Sequence, residues 1–197
     1  MISAPSGTGK TTLCRRLIER ISGISFSISY TTRNSRQGES DGADYYFVSR
    51  RKFQEMVSAD DFLEWARVYD NFYGTRKSDV LSRIERGEDV LLDIDVQGAR
   101  QVHERLKGAI LIFLLPPSWS ELEARLKNRG TEDTSKLKCR MSKAKSELEA
   151  IYEYDFAVIN DDISKATEEL KSIVIAQRCK TPRTLTRQDL VPPLKSS

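Results

Sequence analysis

The run Ala4-Pro5-Ser6-Gly7-Thr8-Gly9-Lys10-Thr11 sets two glycines, a lysine and a hydroxyl residue directly before an amphipathic stretch. That order suits phosphate binding. Gly7 and Gly9 let the backbone curl until successive N–H groups face one concavity, and the following helix adds the positive end of its dipole. Lys10 can reach the β- and γ-phosphates of a nucleoside triphosphate, and the Thr11 hydroxyl can ligate Mg²⁺. The pattern G-x-x-x-x-G-K-[ST] is met at every fixed place except the first, where Ala4 stands for glycine. The alternative is a glycine-rich turn that merely caps a helix, with Lys10 a solvated charge. Leu13, Leu17 and Ile18 favour the phosphate-binding reading, because they supply the helix–sheet packing such a loop needs.

Other residues invite related chemistry. Arg33 and Arg36 lie three apart, beside Gly38 and Gly42, and can fork around a phosphate dianion with the Tyr45 hydroxyl as a further donor. On residue type alone, an exposed basic loop is an equal alternative. Asp93 and Asp95 close an apolar run, at the carboxyl end of an expected strand, where ligands gather in open α/β sheets. A spacing of two puts both on one face of that strand. Close carboxylates there need a cation or donors to offset them, and Asp93 is assigned to the Mg²⁺–water and phosphate network.

The elements that must hold these groups follow from periodicity. Short apolar runs at Val90–Ile94, Ala109–Leu115 and Phe156–Ile159 read as buried strands. Helical patterns occupy Thr11–Ile21, Lys77–Arg86, Gln97–Leu106, Ser120–Lys127, Ser135–Glu149 and Ile163–Gln177. Strands alternating with helices predict an α/β fold, a parallel sheet flanked by helices. The stretch from Ser25 to Tyr73 differs: β-rich runs at Phe26–Tyr30 and Asp44–Val48 flank a polar loop, and Phe53, Met56 and Val57 mark one short helix. A small mixed or antiparallel insertion is expected there. Only Met1, Ile2 and Ser3 precede the loop, enough for the end of a strand, so either an upstream start or a curtailed first strand is expected.

Taken in order, SAPSGTGKTT, SYTTRNSRQGESDGADYYF, FLEWARVYDNFYGT, LLDIDVQG and NRGTED followed by Arg140 resemble the guanylate kinase family, most of all its bacterial members. The resemblance covers the chain from Ile2 to about Arg178. It implies a P-loop NTPase core (1–24, 76–117 and 150–178), a GMP-binding region (25–75) and a helical lid (118–149), together one domain over 1–178 with a tail at 179–197. It implies ATP on Ala4 to Thr11, with Arg125 and Asn160 on the same side. Arg33, Arg36, Tyr45 and Tyr73 would hold the acceptor phosphate, with Glu39 in the same loop. Ser29, Glu64, Thr75 and Asp95 would surround guanine. Lys10, Arg33, Arg129 and Arg140 would neutralise charge on the transferring group. The chemistry agrees: guanine presents N1–H and the exocyclic amine to a carboxylate, whereas adenine would set a bare lone pair against it. Kinases of other phosphorylated acceptors would lack the guanine-reading set, and phosphopeptide-binding scaffold modules would lack Lys10 and Thr11.

With 197 residues, 31% charged and 39% hydrophobic, the chain has the size and make-up of one globular domain. A net charge of +3 gives no ground for a nucleic-acid or membrane partner. Cys14, Cys139 and Cys179 have no metal-ligand spacing and suit a reducing compartment. No apolar run is long enough to span a bilayer, and the first residues show no secretory pattern. A cytoplasmic enzyme using ATP, GMP and Mg²⁺ is expected.

Overall fold

The computed structural model describes residues 1–68, 70–128 and 134–180. In chain order it contains β1 (Ile2–Ser3), α1 (Lys10–Arg20), β2 (Ile24–Phe26), β3 (Tyr30–Thr31), β4 (Tyr46–Phe47), α2 (Arg50–Ser58), β5 (Phe62–Val68), β6 (Asn71–Arg76), α3 (Lys77–Glu85) and β7 (Asp89–Leu91). These are followed by α4 (Val96–Arg105), β8 (Ile112–Leu115), α5 (Trp119–Asn128), α6 (Thr134–Glu149), a 3-10 turn (Ala150–Glu153), β9 (Phe156–Ile159) and α7 (Ile163–Arg178).

The apolar runs build a parallel sheet. β2 pairs with β7, and β1 pairs with β8, which pairs with β9, all in parallel. Ile2 joins the two groups: its N–H donates to Leu92 O at 2.9 Å, and it bridges Asp93 in parallel. The resulting order β2-β7-β1-β8-β9 puts the two residues of β1 at the centre. Ile2 is fully buried there. One face of the sheet packs Leu13 and Leu17 of α1 and Leu170 of α7, and the other packs Val80 of α3 with Ala99 and Val102 of α4.

The strand expected to run through Ile94 pairs regularly with β2 only as far as Leu91. Beyond it the chain turns to β1 for its partner: Leu92 O accepts from Ile2 N at 2.9 Å, Ile94 N donates to Ile2 O at 3.4 Å, and Asp93 bridges Ile2. Asp95, still extended, caps α4 by accepting from Gly98 N at 3.0 Å.

The insertion is a mixed sheet of order β4-β3-β6-β5. β3 runs parallel to β4 but antiparallel to β6, and β5 and β6 form an antiparallel hairpin. Its own core is aromatic: Phe53 of α2 stacks between Phe62 and Phe72, at centroid distances of 4.5 and 5.5 Å. Helices α5 and α6 pack through Leu122, Leu126 and Ala144. Among the described residues no helix is long and apolar enough to cross a membrane.

Candidate active site

The phosphate loop leaves the central strand and enters α1 at Lys10. Gly7 and Gly9 take φ of 95° and 91°, a region costly to any residue with a Cβ. Thr8 closes the turn by donating to Pro5 O through both its N–H (3.2 Å) and its hydroxyl (2.8 Å). Asn160, 7% exposed at the end of β9, donates its side-chain N–H to Thr8 O at 2.6 Å. A Cβ on Gly9 would lie 2.7 Å from that amide nitrogen. Asn160 therefore braces the loop from the end of β9, two strands along the sheet.

Lys10 is held from two sides. Its ammonium forms an ion pair with Asp93 and donates to Ile94 O at 3.0 Å, while Thr11 Oγ1 donates to Asp93 Oδ2 at 3.3 Å. Two residues of the loop thus converge on one carboxylate beyond the end of β7.

Thr11 and Asp93 also line a cleft of about 730 Å³ that extends to the insertion. Ser29, Arg33, Arg36, Glu39, Tyr45, Glu64, Tyr73 and Asp95 line it too. Arg33 is oriented by a bidentate pair with Glu39, at 2.8 and 3.0 Å, and its guanidinium lies 5.3 Å from the Tyr45 ring centroid. The Arg33 guanidinium holds the Glu39 carboxyl below the usual range, helped by the Arg36 N–H, which donates to Glu39 at 2.7 Å. Glu39 thereby fixes the Arg33 side chain and the backbone at Arg36. Burial, and after it the Asp93 charge, pushes the Tyr45 hydroxyl up, so it remains a neutral donor.

At the inner wall sits Glu64 of β5, 5% exposed. Thr75 of β6, its neighbour across the hairpin, donates its hydroxyl to Glu64 Oε1 at 2.5 Å. Burial pushes the Glu64 carboxyl up to about 7, with the Asp95 charge adding to it and the Thr75 hydrogen bond opposing. A threonine has one hydroxyl proton, so in this arrangement Thr75 orients Glu64 and does not itself donate to a base oxygen. Thr75 does not line the cleft.

The remaining expected residues lie on the helical pair. Arg125 of α5 donates to Glu121 at 2.9 Å, one turn back along its helix, and Arg140 lies half-buried on α6. Arg129 lies outside the described residues, as does the tail from residue 181. Sequence reasoning missed Arg15 and Asp44, which line the cleft and approach within 4.0 Å between α1 and the insertion loop. No sequence signal pairs an arginine in an amphipathic helix with an aspartate 29 positions on.

A curled loop at the carboxyl end of a parallel sheet, opening into an arginine-lined second cleft, defines an α/β P-loop phosphotransferase that handles two phosphorylated ligands side by side. The profile of the guanylate kinase family matches residues 1–177. The guanylate kinase of Caldanaerobacter subterraneus is 47% identical over 183 residues, covering 93% of this chain and 89% of that protein. That of Geobacter sulfurreducens is 46% identical, covering 94% and 91%. The crystal structure of guanylate kinase from Anaplasma phagocytophilum superposes with a TM-score of 0.77 at 33% identity, covering 92% of this chain and 86% of that one. This chain belongs to the guanylate kinase family.

Proposed function

We propose that this chain transfers the γ-phosphoryl group of ATP to GMP, giving ADP and GDP, with ATP on the loop Ala4–Thr11 and GMP in the cleft. One observation carries the reading. A single cavity joins Thr11 and Asp93 on the donor side to Arg33, Arg36 and Tyr73 and, at its inner wall, to the buried carboxylate of Glu64.

The loop's backbone N–H groups and Lys10 bind the donor phosphates, and phosphate binding draws Lys10 away from Asp93. Arg33, Arg36, Tyr45 and Tyr73 hold the acceptor phosphate, with Arg33 already aligned by Glu39. Glu64 accepts from guanine N1–H and the exocyclic amine, Asp95 takes the amine's remaining proton, and Ser29 donates to O6. The acceptor oxygen then faces the γ-phosphorus in line, and no covalent enzyme intermediate is needed. Lys10, Arg33 and Arg140 offset the charge that develops, with Arg125 on the donor side. Arg129 takes the same role on family resemblance alone, and Asn160 serves the ATP side by bracing the loop.

Mg²⁺ fits as MgATP. Thr11 Oγ1 and Asp93 Oδ2 present a hydroxyl and a carboxylate oxygen side by side, hard donors suited to an ion whose other ligands are phosphate oxygens and water. When bound, the ion would offset negative charge on the donor phosphates. The free cysteines Cys14, Cys139 and Cys179 support the cytoplasm as the compartment.

The test is Glu64→Gln. Two hydrogen bonds to a charged acceptor at about 1.5–3 kcal/mol each make a loss on the order of 10²-fold or more in GMP kcat/KM the expected result. Steady-state kinetics with GMP and AMP should show the preference for GMP collapsing while the KM for MgATP holds. An unchanged preference would mean that another group reads the base.

A further inference from the structure

Helix α4 opens Val96, Gln97, Gly98, and a glycine within a helix needs a reason. Glycine weakens a helix relative to alanine. Gly98 is not among the glycines with positive φ, so its backbone conformation does not demand it. Space does. A Cβ built on Gly98 would lie 2.6 Å from Glu64 Oε2 and 3.2 Å from Glu64 Cδ. The carboxylate has no easy retreat, because Thr75 holds its other oxygen at 2.5 Å and the side chain is 5% exposed.

The same helix grips the strand on either side of Glu64. Gln101 accepts from Trp65 N at 3.1 Å and donates to Trp65 O at 2.8 Å. Arg105 donates to Phe62 O at 2.6 Å. Positions 98, 101 and 105 recur at the spacing of one helix face. Glu64 thus rests against the first turn of α4, where the positive end of the helix dipole favours its ionised form against the cost of burial. Neither Gly98 nor Gln101 lines the cleft.

We infer that Gly98, Gln101 and Arg105 form a docking stripe on α4 that sets the depth of the Glu64 carboxylate, and that Gly98 is a specificity-determining positioning residue acting from behind the site. This rests on the reading of Glu64 as the group that recognises guanine. A side chain at position 98 pushes the carboxylate toward the cleft and tilts it, so that it no longer meets both donors of the base. Shortening the acid by one methylene restores the room.

The experiment is steady-state kinetics of Gly98→Ala, Glu64→Asp and the double variant, with GMP and IMP as acceptors at saturating MgATP. IMP carries the same ring edge without the exocyclic amine, so the GMP-to-IMP ratio reads two-point acceptance. Gly98→Ala should raise the KM for GMP by about tenfold or more with little change in kcat, and should lower the GMP-to-IMP ratio. A purely structural loss would lower the melting temperature and kcat without moving that ratio. The double variant should bind GMP better than Gly98→Ala, a recovery that independent lesions do not produce. Wild-type KM and ratio in Gly98→Ala, or additive losses in the double variant, would overturn the inference. Should Gly98→Ala fail to fold, Gln101→Ala keeps the helix and must lower the ratio in the same direction; an unchanged ratio overturns the inference equally. Glu64→Gln separates the two levels. If its GMP-to-IMP ratio is that of the wild type, the base-reading role of Glu64 fails. If its ratio is lost but Gly98→Ala behaves as wild type, only the docking stripe fails.

Discussion

In the proposed function the loop Ala4–Thr11 and the cleft each take a phosphorylated nucleotide, yet they are built from different material. The loop is eight consecutive residues whose chemistry is mainly backbone, curled by glycines at φ above 90° and braced at Thr8 by one distant amide. The cleft is mainly side chains brought from β5, β6, the loop after β3 and the end of β7, each oriented by another side chain: Arg33 by Glu39, Glu64 by Thr75. Backbone donors recognise what all nucleotides share. Side chains recognise what distinguishes one base from another, and they can be displaced by a single methyl group elsewhere in the fold. On the proposed function, specificity is therefore concentrated where the structure is most dependent on its neighbours.

This contrast can be broken in order of effect. Lys10→Met removes the one side-chain cation of the loop and should lower kcat by about 10³-fold, the scale of losing a charge-stabilising donor in a dry site. Calorimetry should find GMP binding to the same variant within a few-fold of the wild type. Equal loss of GMP binding would show that the two halves are not separable.

A smaller effect concerns the cost of holding Glu64 ready. Its carboxyl is pushed from 4.5 to about 7 in the folded chain by burial, with Asp95 adding to the shift and Thr75 and Lys10 opposing it. A folded-state pKa above the unfolded value means stability that is present below pH 4.5 and is lost as pH rises to about 7. At about 1.4 kcal/mol per pH unit, the ionised carboxylate costs the ligand-free protein on the order of 3 kcal/mol above that range. Glu64→Gln should therefore melt progressively higher than the wild type between pH 5 and 8. A difference independent of pH would place the buried charge elsewhere.

The same contrast explains what was legible in the sequence. The loop could be read because its residues are contiguous and its backbone demands glycine. The α/β core could be read from the runs around Leu91 and Phe113, since strands buried on both faces are apolar throughout; the run expected to be a buried strand around Val158 is an edge strand that leaves Ala157 and Ile159 exposed. The β5–β6 hairpin is not legible as a pair of strands, although its residues carry part of the family resemblance. Phe62, Leu63 and Glu64 are all buried, so the alternation that marks a strand is lost where Glu64 turns inward. The regular part of β7 ends at Leu91, before the expected Ile94, because the chain there exchanges β2 for the two-residue β1 as its partner, which the apolar run does not reveal. Gly98 was silent for a physical reason: a glycine required by a carboxylate 34 positions earlier has no local signature.

The most direct test of the account is ADP release by the wild-type chain in MgATP, with GMP, AMP, UMP and CMP offered separately. The account requires turnover with GMP to exceed that with each of the others by about 10²-fold or more, because no other base offers Glu64 a ring N–H and an amine side by side. Comparable rates with AMP, or no turnover with GMP, would contradict it.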